Sequence, residues 1–276
     1  MTPALFIFVL YLISLGCLIL WQKQSEQLSM PSETSVTSKL QPTLFWLSLL
    51  TGIAVHFFFA ANTSYVQHSF NFSVSSMTLW FSALVVATFA VGSLLYPIKN
   101  LAVVVLPIAI LCILFALVWG DKPQIISHKG TVFYWHIGTA SLAFTLLSLA
   151  VLQALLFGYQ ELALRKQSKN LVVHWLPAIQ TMEEVLFKLV VLGFILLSLS
   201  ISLGSLYNFQ LNQSLLNFNH HSVLAILSWL SFAVLVYGRL KLGWLGMQVI
   251  YWILAAFALL ALGYFGTKII YELVNL

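Results

Sequence analysis

The chain has 276 residues, of which 61% are hydrophobic and 7% are charged, and its formal net charge is +5. Water-soluble domains carry about 25% charged residues. This composition therefore excludes an ordinary soluble protein and favours contact with lipid, where an ionised side chain costs several kcal/mol. The small positive charge comes mostly from loop lysines and indicates no nucleic-acid partner.

Eight apolar segments are long enough to cross a bilayer as helices, which need about 20 residues each. In hydrocarbon the backbone must satisfy its own hydrogen bonds, and continuous apolar runs exclude a barrel whose strands alternate every second residue. The predicted spans lie near 4–21, 43–61, 77–96, 100–119, 132–158, 184–207, 221–239 and 247–270. The sequence therefore predicts an all-α, polytopic membrane helix bundle that forms a single membrane domain over residues 1–276.

The loop charges predict an orientation, because cytoplasmic loops of membrane proteins are enriched in Lys and Arg. The connections on one side hold Lys23, Lys39, Lys99, Arg165, Lys166, Lys169, Arg239 and Lys241. The other side holds only Lys122, Lys129 and Lys268. Both termini are therefore expected outside, and the Ser-, Gln- and Thr-rich segment 22–42 is expected to be a flexible cytoplasmic loop.

The beginning of the chain and its cysteines carry little functional signal. The first span has no preceding basic residue and no small-residue cleavage site after it, so we expect a retained helix and not a secretory signal. Cys17 and Cys112 lie singly inside apolar helices, without a C-x-x-C or C-x-x-C-H motif. Covalent haem attachment is therefore not indicated, and both cysteines are interpreted as small core side chains.

In this orientation six of the seven histidines fall near the predicted outer face. Two of them, His56 and His136, lie within spans and have small neighbours at helical spacing. These neighbours are Gly52, Ala60 and Thr63 on the second helix, and Thr139, Ala140 and Ala143 on the fifth. Small residues leave room beside an imidazole, either for a flat macrocycle or for a closely packed helix.

Several classes of function lack the residues that they need. No acidic residue lies deep in a predicted span, which disfavours an ion-coupled transporter. No phosphate-binding loop, H-E-x-x-H helix or plausible Ser/His/Asp set is present, so we do not expect an enzyme. A stripe of Ser198, Ser202 and Ser205 with Gly204 predicts a close helix–helix contact on the sixth span.

Three segments resemble cytochrome c assembly proteins. They are WHIGTASLAFTLLSLAVLQALLFGYQELALRK (135–166), LPAIQTMEEVLFKLVVLGFILLSLSISLG (176–204) and the stretch 222–270. The last is closely similar to the YpjD/HemX-like branch, with Ser-Trp, Gly-Trp-x-Gly and Tyr-Phe-Gly landmarks in the expected order. The resemblance begins near residue 40, and residues 43–276 are interpreted as a cytochrome c assembly-like region.

The resemblance implies non-covalent haem b handling at the outer face of a bacterial inner membrane, in support of cytochrome c maturation. The bilayer and other maturation components would then be partners. Better-known members, of the CcsA/ResC and CcmC type, hold haem with a Trp-rich outer loop and flanking histidines. His136 matches the first flanking histidine and is the expected ligand of the haem iron.

The chain departs from that pattern at several positions. The region before the seventh helix, SLYNFQLNQSLLNFNHHSV, holds no tryptophan, and the second flanking histidine would fall near Asn275. Tyr237 replaces another family histidine. The candidates to pair with His136 are therefore His56, His68 and His221, with His220 beside the last. The alternative is a non-haem accessory or scaffold protein that regulates another membrane or tetrapyrrole-pathway component.

Overall fold

The computed structural model describes residues 2–27, 37–66, 69–119, 130–167, 175–212 and 219–274. Within these ranges, eight helices are long and apolar enough to cross a membrane, which confirms the predicted fold class. The spans are Pro3–Lys23, Leu40–Ser64, Val74–Leu95, Lys99–Val118, Thr131–Arg165, Ile179–Leu211, His220–Leu242 and Met247–Ile270. Many large apolar side chains on them point outward, as contact with lipid requires; Val118 is 86% exposed and Leu95 72%.

Most of the helices extend beyond the predicted spans. They are α1 (Thr2–Gln27), α2 (Thr37–Ser64), α3 (Val74–Leu95), α4 (Ala102–Val118), α5 (Thr131–Arg165), α6 (Ile179–Asn212), α7 (His220–Leu242), α8 (Met247–Ala261) and α9 (Thr267–Val274). At 1.5 Å per residue, the 35 residues of α5 extend about 52 Å, well beyond a hydrocarbon core of about 30 Å. In α5 the helix therefore continues past the apolar run that marks the span.

The segment 22–42 shows the same effect. It was expected to be a flexible loop. Residues 22–27 continue α1 and residues 37–42 begin α2, whereas residues 28–36 lie outside the described part of the chain. Pro42 lies inside α2, in its second turn, where it removes one of the hydrogen bonds within the helix. Composition indicated a loop, whereas the helical hydrogen bonding propagates through polar residues at both ends of the segment.

The membrane region contains two compact units, Met1–Pro123 and Gln124–Leu276. In the first unit, α1 packs on α2 and α4, and α3 packs on α2 and α4. A short antiparallel pair follows α2, with strand β1 (Tyr65–Val66) opposite strand β2 (Ser69–Phe70). Gly52 lets α1 approach α2, because a Cβ at this position would lie 2.6 Å from Cε1 of Tyr11.

In the second unit, α5 packs on α6 and α8, and α7 packs on α6 and α8. The core between α5 and α6 combines Ala143, Leu147, Ala150 and Phe157 with Met182, Leu186, Val190 and Leu197. A Cβ at Gly193 would lie 2.7 Å from Leu147 Cδ2, so glycine is needed for this close approach. The two helices are thereby held along most of their length.

Two irregular segments shape the last helices. Gly243 and Gly246 have φ of 68° and 63° and form the turn between α7 and α8, where Arg239 donates to Glu183 at 3.0 Å and to the Trp244 carbonyl at 2.8 Å. Further along, a π-helical turn, Leu262–Gly266, joins α8 to α9. Such single turns are rare and often accompany functional sites.

Candidate functional site

His136 lies in the second turn of α5 and faces α6. Its Nδ1 is 2.8 Å from the carbonyl oxygen of Ser200, and the Ser200 hydroxyl oxygen is 3.3 Å from the same nitrogen. Ser200 is buried, with 3% of its surface exposed. The imidazole is therefore tethered to the backbone of the neighbouring helix.

Gly204, one turn after Ser200, makes room for this ring. A Cβ on Gly204 would lie 2.9 Å from Cε1 of His136 and 3.1 Å from its Nδ1. Real Cβ atoms do not approach other atoms this closely, so any larger residue at position 204 would displace the imidazole. The predicted helix–helix contact of the serine and glycine stripe is confirmed at this position.

His221 lies in the first turn of α7 and contacts the π-helical turn. Its Nδ1 is 2.8 Å from the carbonyl oxygen of Gly263. The same carbonyl accepts a hydrogen bond of 2.8 Å from the Thr267 hydroxyl. The ring edge of Tyr264 lies against the imidazole, with ring centroids 6.2 Å apart. His221 is therefore held by a backbone acceptor, as His136 is.

These contacts determine the tautomer of each neutral imidazole. A carbonyl oxygen can only accept, so Nδ1 must carry the proton and Nε2 keeps its lone pair. In the described part of the chain no protein group hydrogen-bonds to either Nε2. A backbone acceptor on one ring nitrogen is the usual arrangement for a histidine whose other nitrogen binds a metal.

The two imidazoles belong to the same compact unit. Among the described residues, no group of three or more His, Cys, Asp or Glu side chains is placed to hold a metal ion. A structural zinc site needs such a group, whereas a haem iron is already held by its macrocycle and needs only axial ligands. Two imidazoles whose Nε2 atoms have no hydrogen-bond partner among the described residues can serve as ligands of such an iron.

Aromatic rings lie beside His221 on the inner side of the π-helical turn. Phe144 of α5 contacts the rings of Phe257, Tyr264 and Phe265, with centroids 5.2, 6.4 and 5.7 Å apart. These rings form an apolar aromatic surface near the imidazole. Flat apolar ring faces suit a planar macrocycle, which has mostly apolar surface of its own.

His56 has different surroundings in the first unit. Its Nδ1 is 3.0 Å from the Tyr11 hydroxyl of α1, and its Nε2 is 3.3 Å from the Ser82 hydroxyl of α3. The side chain is fully buried, with 0% exposed. The space that Gly52 leaves is filled by the Tyr11 ring, so close helix packing accounts for the small residues around His56. In this arrangement neither nitrogen of His56 is open to a ligand.

The comparison with known proteins concerns most of the chain. Residues 41–274 match the protein family described as Cytochrome C assembly protein. This chain belongs to that family. It is also similar to the "Inner membrane protein YpjD" of Escherichia coli strain K12 and of Escherichia coli O157:H7, each 30% identical over 140 residues, which are 51% of this chain and 52% of the relative. The chain spans about half the length of the curated relatives that it matches.

Family membership supports a membrane protein linked to cytochrome c biogenesis, and all the residues around His136 and His221 lie inside the matched region. Other predicted positions are less informative. His68, His128, His174 and Asn275 lie outside the described residues. His220 is exposed at the start of α7, and Tyr237 is 60% exposed.

Two features of the site could not be predicted from the sequence of this chain. The acceptors for His136 and His221 are backbone carbonyls, which every residue has, so residue types could not identify Ser200 or Gly263. The choice between His220 and His221 depended on which side chain faces the π-helical turn. Only Gly204 could have been found, since it belonged to the predicted small-residue stripe.

Proposed function

We propose that this protein binds haem at the outer face of the bacterial inner membrane, where His136 and His221 would hold the haem iron. The observation that carries the proposal is the shared geometry of the two imidazoles. Each donates its Nδ1 proton to a backbone carbonyl at 2.8 Å, and no group in the described part of the chain hydrogen-bonds to its Nε2. Both residues belong to the same compact unit, Gln124–Leu276.

The surroundings support ligand roles for these residues. The carbonyls of Ser200 and Gly263 fix the ring orientations and raise the basicity of Nε2, which strengthens its bond to iron. Gly204 keeps the His136 ring against α6, and the aromatic surface around Phe144 and Tyr264 favours an apolar macrocycle. Bound haem would supply a redox-active iron, and the imidazoles of His136 and His221 would hold it in a site suited to haem transport and not to open catalysis. The protein would therefore hold haem without acting as an enzyme.

The location and partners are part of the same proposal. Eight candidate spans establish contact with the bilayer. The relatives in Escherichia coli are named inner membrane proteins, which supports that location for this chain. Membership in the cytochrome c assembly family supports other maturation components as partners.

A haem titration of the detergent-purified protein tests the proposal. We expect a Soret band that grows to saturation with added haem. His136→Ala and His221→Ala should each weaken binding by about tenfold or more, since each removes an axial bond of at least about 1.4 kcal/mol. His220→Ala is the matched control, because it removes the neighbouring exposed imidazole, and it should bind like the wild type.

The alternative of a non-haem accessory protein predicts the opposite result. A wild-type protein that stays colourless and ignores added haem, yet co-purifies with a stable membrane partner, would contradict the haem proposal. If complementation of a cytochrome c maturation defect also survived His136→Ala combined with His221→Ala, the scaffold interpretation would replace it.

A further inference from the structure

We infer that the π-helical turn Leu262–Gly266 is a positioning device for His221, which presents the Gly263 carbonyl to Nδ1 and so directs Nε2 toward the ligand. The claim that this positioning contributes to haem binding rests on the proposed function. The tethering of the imidazole can be tested in the haem-free protein.

The first step is the position of the turn. The helix that begins at Met247 is regular as far as Ala261, changes to π-helical hydrogen bonding over Leu262–Gly266, and resumes as α9. A π-helical turn is rare and is frequently found at functional sites. The turn lies against the first turn of α7, which carries His221.

The second step is the close approach of the two backbones. A Cβ on Gly263 would lie 3.1 Å from Cβ of Leu224 and 3.5 Å from the carbonyl oxygen of His221. The first distance is tighter than ordinary contact between side chains. Glycine at this position therefore lets the turn come near enough to α7 for its carbonyl to reach the imidazole at 2.8 Å.

The third step is that the turn restrains the imidazole in two ways. The Gly263 carbonyl accepts from Nδ1, and the Tyr264 ring, next in the same turn, lies edge-on against the imidazole. Because Gly263 also accepts from the Thr267 hydroxyl at 2.8 Å, its carbonyl is held in direction from the helix that follows. An exposed side chain at a helix start is thus confined to one tautomer and one orientation.

The turn offers a matched pair of substitutions. Gly263→Ala places a methyl group against Leu224 and should push the turn away from α7. Gly266→Ala makes the same change three residues later, where a Cβ would meet only Leu262, at 3.5 Å or more, which is ordinary contact. Both variants alter helix propensity equally, so a difference between them reports on the contact with α7.

The direct measurement is the tautomer of His221 in haem-free protein, by nitrogen NMR of ¹⁵N-histidine-labelled samples in detergent. The His221 signals are assigned by their loss in His221→Ala. We expect a single Nδ1–H tautomer in the wild type and in Gly266→Ala, and a mixture of the two tautomers in Gly263→Ala. In a parallel titration, Gly263→Ala should weaken haem binding by about 10–100-fold, the usual effect of losing an outer partner of a metal ligand, and Gly266→Ala should not.

The outcomes separate the two claims. A mixture of His221 tautomers in the folded wild type, or the same single tautomer in all three proteins, would overturn the inference whatever the haem titration gives. Because the wild-type spectrum is decisive alone, the test survives if Gly263→Ala fails to fold. A single tautomer in wild type that is lost in Gly263→Ala, together with no haem binding by the wild type, would support the positioning role and contradict the proposed function.

Discussion

Gly204 of α6 lies directly against the imidazole of His136, since a Cβ there would come within 2.9 Å of Cε1. The same helix supplies the Ser200 carbonyl that accepts from Nδ1. A single turn of α6 therefore supplies both the space and the hydrogen-bond acceptor for the candidate ligand. The position of His136 depends on α6 as much as on its own helix.

Gly204→Ala should displace the His136 ring and weaken haem binding by about 10–100-fold, because the ligand loses its fixed orientation. The measurement is a Soret titration of the purified variant. The control is Gly138→Ala on α5, where a Cβ meets nothing within 4 Å. Equal affinities in the two variants would show that the contact between Gly204 and His136 does not matter for binding.

Ser200→Ala should leave haem affinity close to that of the wild type. The substitution removes the hydroxyl at 3.3 Å but keeps the carbonyl at 2.8 Å, which makes the better hydrogen bond with Nδ1. The same titration checks this expectation. A loss as large as that of His136→Ala would mean that the hydroxyl, and not the backbone, orients the ring.

Tyr11→Phe should destabilise the first unit by about 1–3 kcal/mol, because it leaves Nδ1 of the fully buried His56 without its partner. Haem affinity should not change, since His56 contributes to packing in this account. Thermal unfolding in detergent and the Soret titration measure the two effects. Tyr251→Phe removes an exposed hydroxyl and is the control. A weakened Soret band in Tyr11→Phe with normal stability would indicate that His56 is a haem ligand.

Gly52→Ala should lower the melting temperature. The added Cβ would lie 2.6 Å from the Tyr11 ring, and overpacking of this kind costs about 1–3 kcal/mol. The better helix propensity of alanine offsets about 1 kcal/mol of that cost. Gly16→Ala on α1 gains the same propensity in open space and should be neutral or stabilising. Identical melting temperatures for the two variants would contradict the tight contact between α1 and α2.

The fold was largely predictable because it follows from solvent physics. Each span is an apolar run of about 20 residues, and lipid leaves such a run no alternative to helix. The segment 22–42 was harder, since its polar composition resembles a linker although residues at both ends are helical. The composition of the sequence indicates which residues lie in the membrane. The helical hydrogen bonds continue beyond these residues and determine where each helix ends.

The site was predictable only in part. Resemblance and helical spacing singled out His136, but the partner of His56 is Tyr11, which is 45 residues away and carries no local signal. His220 and His221 are adjacent, and their roles differ because one faces the π-helical turn. That turn has the composition of an ordinary apolar helix, so no periodicity identifies it. These features depend on contacts between residues that are far apart along the chain, which the sequence pattern does not show.

The central claim is that one haem iron takes Nε2 of His136 and Nε2 of His221 as its axial ligands. Electron paramagnetic resonance of the ferric, haem-loaded protein tests this claim most directly. The account predicts a low-spin signal of two imidazole ligands in the wild type and in His220→Ala, which becomes high-spin or disappears in His136→Ala and in His221→Ala. An unchanged low-spin signal in either of these two variants would contradict it.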